Sequence, residues 1–201
     1  MTATSMPLWV TAQNAIVSAL QDVSTRDAAI NPALAFDVAK NLYIPQIMEI
    51  TNKALVNVRI ASITADTKTA VYAHKQNRVT FNCDLYCLGA NTDDGINIIP
   101  SDENAIARLH YLTAQVEAGL TDAKNNLLGL TNSQIYRNIA TEIIFFDVEV
   151  LRQSTFTYAP ARISLDAIII QEVLDSNEYP TLERIGITPQ QIEGWSIIYT
   201  Y

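Results

Sequence analysis

Between Asn77 and Leu88 every second residue is apolar: Val79, Phe81, Cys83, Leu85 and Cys87 alternate with Thr80, Asn82, Asp84 and Tyr86. A period of two sends successive side chains to opposite sides of an extended chain, so this stretch predicts a strand with one buried and one polar face. Such a strand needs partners along its edges and an apolar layer against its buried face.

Both are legible elsewhere in the chain. Val56, Val58 and Ile60 alternate with Asn57 and Arg59, predicting a strand over Ala54–Thr64. Thr69–His74 reads as its return partner, with a turn at Asp66–Lys68. Further on, Glu142–Arg152 places Ile144, Phe146, Val148 and Val150 on one face and Asp147 and Glu149 on the other. Ile163–Val173 sets Ile163, Leu165, Ala167 and Ile169 against Ser164 and Asp166. The link between those two strands, with Ser154, Thr155, Thr157 and Pro160, is long for a hairpin, and 153–161 is expected to be a loop that reaches a neighbour. A short extended piece is expected around Ile47 and Ile50.

The apolar layer comes from helices. Ser101 reads as an N-cap with Asp102 and Glu103 in the first turn, where carboxylates meet the positive end of the helix. Ile106, Leu109, Thr113, Val116 and Leu120 then form one stripe with Leu112 beside it, and Asn125 and Asn126 mark the stop. A shorter N-terminal helix is expected over 8–21, opened by Pro7 and carrying Trp9, Ala12, Ile16 and Leu20 on one face. Residues 22–45 contain Pro32 and Pro45 and no clean period. They predict a long connection, with a helical turn or short strand near Ala35–Asn41. Asn132–Ile139 reads as a further short helix, and Gly89–Pro100 as a polar, turn-rich insert. The expected fold is α+β, a two-layer, mostly antiparallel sheet packed against one long helix, with a short N-terminal helix and a C-terminal extension. The domain is expected over 1–174 and the extension over 175–201. That extension has an acidic turn, a helix candidate at Thr181–Ile185, and a final alternating run from Trp195 to Tyr201. The run could be an edge strand at home or could add to a neighbour's sheet.

Composition narrows the function. Thirteen Lys and Arg oppose 21 Asp and Glu, a formal charge of -8, with no basic run to displace counterions along a nucleic acid. Acidic surface does suit a wall past which DNA slides. Only 17% of residues are charged, so much of the polar surface is amide and hydroxyl, which costs less to desolvate against a partner than ions do. The first thirty residues lack a basic segment followed by an apolar run, and no apolar stretch approaches a membrane span. The expected location is a cytoplasm, or a particle assembled there.

No chemistry announces itself. The six glycines form no phosphate-binding loop, and neither His74 nor His110 has a helical metal-binding partner. Cys83 and Cys87 would stand roughly 13 Å apart on a strand, too far for a disulfide, and read as two small buried hydrophobes. Asp93, Asp94 and Gly95 invite a calcium reading, but the regularly spaced oxygen ligands and closing glutamate are missing. Asp147 and Glu149, with Asp166 opposite, could pair as carboxylates, although a solvated sheet face is the simpler reading. Ser154 and Ser164 have no histidine close in sequence, which leaves only a spatially assembled triad open. No catalytic, cofactor-binding or metal residue is expected. Arg59, Arg78 and Arg152 are the candidates for protein contacts, because a guanidinium keeps a strong donor fork in an interface.

The element order resembles that of the tail terminator or tail completion (neck) proteins of long-tailed bacteriophages. The resemblance runs over about residues 9–174. It rests on the early helix leading through a linker to "IPQIMEI", on "NRVTFNCDLYCLG" ahead of "SDENAIARLHYLTAQVEAGL", and on the closing pair "TEIIFFDVEVLR" and "ARISLDAIIIQEVL". It implies a virion protein that forms a homo-oligomeric ring, usually a hexamer, at the head-proximal end of the tail. Such a ring contacts the tail tube and connector or neck proteins, and lets DNA pass without sequence-specific binding. It carries no catalytic residues. The insert at Gly89–Pro100 and the tail after Asp175 depart from the smallest members of that group. Other stations remain open, namely a connector, a minor capsid protein or a sheath-associated protein, as does a small α+β enzyme or ligand-binding domain.

Overall fold

In the computed structural model, residues 6–42, 54–71, 74–93, 98–150 and 157–172 are described, with backbone alone for 66–71, 74, 75, 93, 136–141, 149, 150, 171 and 172. The chain forms α1 (Leu8–Ile30), a 3-10 turn (Pro32–Leu34), β1 (Asp37–Lys40), β2 (Ala54–Val71) and β3 (His74–Gly89). There follow β4 (Thr92–Asp93), β5 (Ile98–Ile99), α2 (Ser101–Thr121), β6 (Ile135–Phe145), β7 (Glu149–Val150) and β8 (Thr157–Glu172).

The main sheet runs β1-β2-β3-β8-β6, with β7 also paired to β8. All its pairs are antiparallel except β1 with β2. β3 and β8 are central, and β3 pairs along its whole length with β8, from His74↔Glu172 to Gly89↔Thr157. The alternation in sequence becomes two faces. Val56, Val58, Val79, Phe81, Cys83, Leu85 and Cys87 are fully buried on one of them, with Ile163, Leu165 and Ile169 from β8. The two helices cover that face, α1 with Ala12, Ile16, Leu20 and Val23, and α2 with Leu109, Leu112, Val116 and Leu120. Removing each such side chain from water contributes about 1.5–3 kcal/mol, which holds the two layers together. The fold is α+β, as the sequence predicts.

Several boundaries differ from expectation, for identifiable reasons. α1 is not short: its 23 residues exceed the 21 of α2, so two long helices back the sheet. The polar run after Leu20 stays helical because Val23 and Ser24 still face the core. Ser24 is satisfied there, its hydroxyl donating to the Phe36 carbonyl at 2.7 Å and accepting from the Phe36 amide at 2.9 Å. α1 ends at Asn31, which is extended (φ -146°, ψ 112°) as a residue before proline must be. The short strand expected near Ala35–Asn41 is β1.

No turn forms at Asp66–Lys68, because β2 continues through it and the expected return strand is part of one long hairpin, β2–β3. Ser101 is the first residue of α2 and not its cap; Pro100 holds the cap position without a side-chain bond, while Asp102 and Glu103 do lie in the first turn. α2 stops at Thr121, where Asn125 Nδ2 donates to the Gly119 carbonyl at 2.7 Å. Ile106, expected in the core stripe, is 40% exposed. Asn132–Ile139 is not a helix. Pairing with the long free edge of β8 overrides the local pattern, and the strand starts at Ile135. It ends at Phe145, so the predicted strand Glu142–Arg152 is displaced, and Asp147 lies between β6 and β7. β8 begins at Thr157, six residues before the predicted start, so the second half of the expected 153–161 loop is strand. The insert carries the small β4–β5 pair. The predictions around Ile47 and Ile50, at Arg152 and Ser154, and throughout 175–201 lie outside the described residues, as does the division at residue 174.

The loops that join the layers are tied by polar side chains. Arg108 on α2 donates through Nη2 to the carbonyls of Leu34 and Ala35 at 2.8 and 3.0 Å. Partial burial holds its pKa below the usual guanidinium value. Gln115 reaches Asp27 of α1 at 2.7 Å. Burial works against the charged form of Asp27, but hydrogen bonds from Arg26 and Gln115 prevail and its carboxyl titrates below 3.8. Gln13 donates to both Asn41 and the Val58 carbonyl at 3.0 Å, which helps fix Asn41 at its positive φ of 56°.

Candidate functional site: the helix-free face of the sheet

The second face of the sheet has neither helix packed on it. Register and parity place Arg59 of β2, Arg78, Thr80, Asn82, Asp84 and Tyr86 of β3, and Tyr158, Arg162, Ser164 and Asp166 of β8 on it. The charges are arranged in two clusters. Asp84 lies opposite Arg162 and accepts its Nε at 2.6 Å through Oδ1; its Oδ2 accepts Arg59 Nε at 2.7 Å. The Asp84 side chain is only 7% exposed, against 41% for Arg59 and 30% for Arg162. A carboxylate so placed is stable only because two cations flank it. The Arg162 guanidinium also lies 5.6 Å from the centre of the Phe146 ring, a cation–π arrangement.

In the second cluster Asp166 lies opposite Thr80. It accepts the Thr80 hydroxyl at 2.7 Å and Arg78 at 2.9–3.0 Å. Between the clusters, Ser164 donates to Asn82 at 3.2 Å. Tyr86 and Tyr158 form a tilted aromatic pair, 6.5 Å between centroids. Burial, then the nearby Asp84, raises the Tyr86 phenol above its ordinary pKa. Glu142 of β6 sits opposite Ser164 on the same face. Three arginines thus pair with two carboxylates, Asp84 and Asp166, within the face, and register sets Glu142 beside them.

The carboxylate pairing that the sequence left open beside the simpler solvated face does not form. Glu149 is in register with Tyr158, while Asp166 is eight positions further along β8, about 26 Å away by strand rise. Asp147 is on neither strand. Ser164 faces Asn82, and His110 lies on α2 on the opposite side of the sheet, against Phe145 at 5.3 Å, so these two form no dyad. Among the described residues no three His, Cys, Asp or Glu side chains converge as a metal site. Asp94 and Gly95, and the side chains of Asp93 and His74, lie outside the described set. Cys83 and Cys87 are unpaired in the core, where burial pushes both thiols up to about 12. They are packing groups, as read from sequence. Of the arginines singled out, Arg59 and Arg78 belong to the face. Arg162 was missed, although its place between alternating Ala161 and Ile163 signals the polar side of a strand. Chemically, the arrangement offers multidentate hydrogen bonding and matched charge over a broad surface.

No family model matches the sequence, and no curated protein matches it at a significant level. Among the described residues no helix is long and apolar enough to cross a membrane.

Proposed function

We propose that this chain is a structural virion subunit, a tail terminator that forms a ring at the head-proximal end of a phage tail and acts by assembly around a DNA passage, without catalysis. The observation that carries the reading is the helix-free face: wide, polar, and carrying ion pairs closed within it. Acidic and basic groups already paired need little rearrangement when a neighbour covers them, whereas lone charges would oppose desolvation. The exposed portions of Arg59 and Arg78 then present donors to a partner.

Two further features support it. The middle of β2, Ala61–Ala65, is exposed throughout, including Ile63 at 44%, and offers a stretch that a neighbouring subunit could hold. The acidic balance suits a passage that DNA traverses without adhering. In this reading the ring contacts the tail tube on one side and a connector or neck protein on the other, within a particle assembled in the host cytoplasm. Negative-stain imaging of the purified protein tests it. Annular particles with a central opening are expected, and single small particles at every concentration would overturn the proposal.

A further inference from the structure

The two ion clusters of the helix-free face differ in their count of charges. Arg78 closes on Asp166 through both Nε and Nη2, at 3.0 and 2.9 Å, one cation to one anion. Asp84 is instead shared. Arg162 Nε donates to one of its oxygens at 2.6 Å, and Arg59 Nε donates to the other at 2.7 Å. Two guanidiniums and one carboxylate leave this cluster one positive charge in excess, within a chain of formal charge -8. Glu142 stands in register with Ser164, the next residue along that face of β8, and among the described residues no ion pair joins it to Arg162.

The geometry directs that excess outward. Asp84 is the buried member, and both arginines meet it through Nε while 41% of the Arg59 side chain and 30% of the Arg162 side chain reach the surface. A guanidinium is planar, so anchoring its Nε fixes where its terminal Nη donors point. The Phe146 ring, 5.6 Å from the Arg162 guanidinium carbon, limits the swing of that side chain further. A ligand arriving here meets donors already ordered, and less conformational freedom is lost on binding.

We propose that Arg59 and Arg162, braced by Asp84, form a seat for one carboxylate, the side chain of an aspartate or glutamate on a partner protein. A single carboxylate brings the one negative charge that neutralises the cluster, and its two oxygens accept from two guanidiniums as those of Asp84 do. A phosphate monoester, at about -1.5 to -2, overshoots that balance. A nucleic-acid strand brings a row of charges against an acidic chain. The assignment deepens the reading of this face as a contact surface, on which it rests for the partner. The seat itself is measured without any assembly, so its failure and that of the ring are told apart.

Phenylglyoxal, which attacks guanidinium Nη groups, reads occupancy residue by residue through peptide mapping of the full-length protein. With ionic strength held by chloride, acetate and N-acetyl-glutamate amide should each slow modification of Arg59 and Arg162 several-fold and in parallel. Arg26, 57% exposed and paired with Asp27, should react unchanged. Arg59→Gln should abolish the protection of Arg162, because a one-to-one pair with Asp84 remains, and Arg78→Gln should leave it intact. Equal slowing at Arg26, or none at Arg59 and Arg162, would overturn the proposal. Protection by acetate but not by the glutamate side chain would assign the seat to a free acid and overturn the protein partner. Protection by inorganic phosphate at lower concentration than either carboxylate would overturn the choice of ligand.

Discussion

Arg162 and Asp84 sit directly across the β3–β8 pair, and the Nε of one is 2.6 Å from the Oδ1 of the other, with Arg59 closing the second oxygen of Asp84 from β2. One nearly buried carboxylate therefore ties three adjacent strands on the side of the sheet that no helix supports. Asp84→Ala would leave two guanidinium groups facing each other over an apolar gap. The expected loss is about 2–4 kcal/mol, reduced from the fully buried case because both arginines reach solvent. Arg162→Ala should cost less, and Arg59→Ala, the more exposed partner, least. Urea unfolding of the three variants checks the order, and equal effects would refute the described geometry.

Gly89 and Gly119 mark close approaches of different stiffness. A Cβ at Gly89 would meet the Ser101 carbonyl oxygen at 1.9 Å and the Ala105 nitrogen at 2.7 Å, both backbone atoms at the start of α2. Gly89→Ala must displace the helix from the end of β3 and should destabilise by about 3 kcal/mol. At Gly119 the nearest atom is Val23 Cγ2 at 2.7 Å, a β-branched side chain held in one rotamer on α1, so relief needs a small shift between the helices. The gain of about 1 kcal/mol in helix propensity offsets part of that strain, and Gly119→Ala should cost about 1–2 kcal/mol, less than Gly89→Ala. Thermal melts separate the two.

The core thiols give a pH dependence. Burial raises Cys83 and Cys87 from 9.0 to about 12, with the Asp84 charge adding at Cys83 and Arg108 opposing at Cys87. Their folded pKa lies above the unfolded one. The stability they contribute is thus complete below 9.0 and is lost as pH rises from there toward about 12. Melting temperature should fall as pH rises from 9.0 toward about 12, and less steeply in a Cys83→Ala, Cys87→Ala double variant. In the parent both thiols should resist alkylation until the protein unfolds.

Period-two alternation made the central strands and their buried face readable, because burial on one side writes itself directly into residue type. Boundaries were harder where tertiary pairing decides. Ile135, Tyr136 and Ile139 fit a helix locally, yet β8 offers them a ladder. Val23 is the single large apolar residue in its turn of α1, too little to announce a helix that Ser24 anchors through Phe36. The two charge clusters were half visible. Arg59 and Arg78 stood out as arginines on polar strand faces, but their partners Asp84 and Asp166 are 25 and 88 residues away, and only register joins them.

If the helix-free face contacts a neighbour, reversing one exposed charge on it should block association and spare the fold. Arg78, with 65% of its side chain exposed, is the suitable position. Arg78→Glu sets a second carboxylate beside Asp166, and size-exclusion chromatography should show a shift to smaller species while the melting temperature changes little. A large loss of stability with unchanged assembly would contradict this assignment of the face.

Native mass spectrometry of the full-length protein over a wide concentration range tests ring formation most directly. A closed assembly should give one discrete multiple of the subunit mass, present at the lowest concentrations with few intermediates. A subunit that stays single throughout would contradict the account.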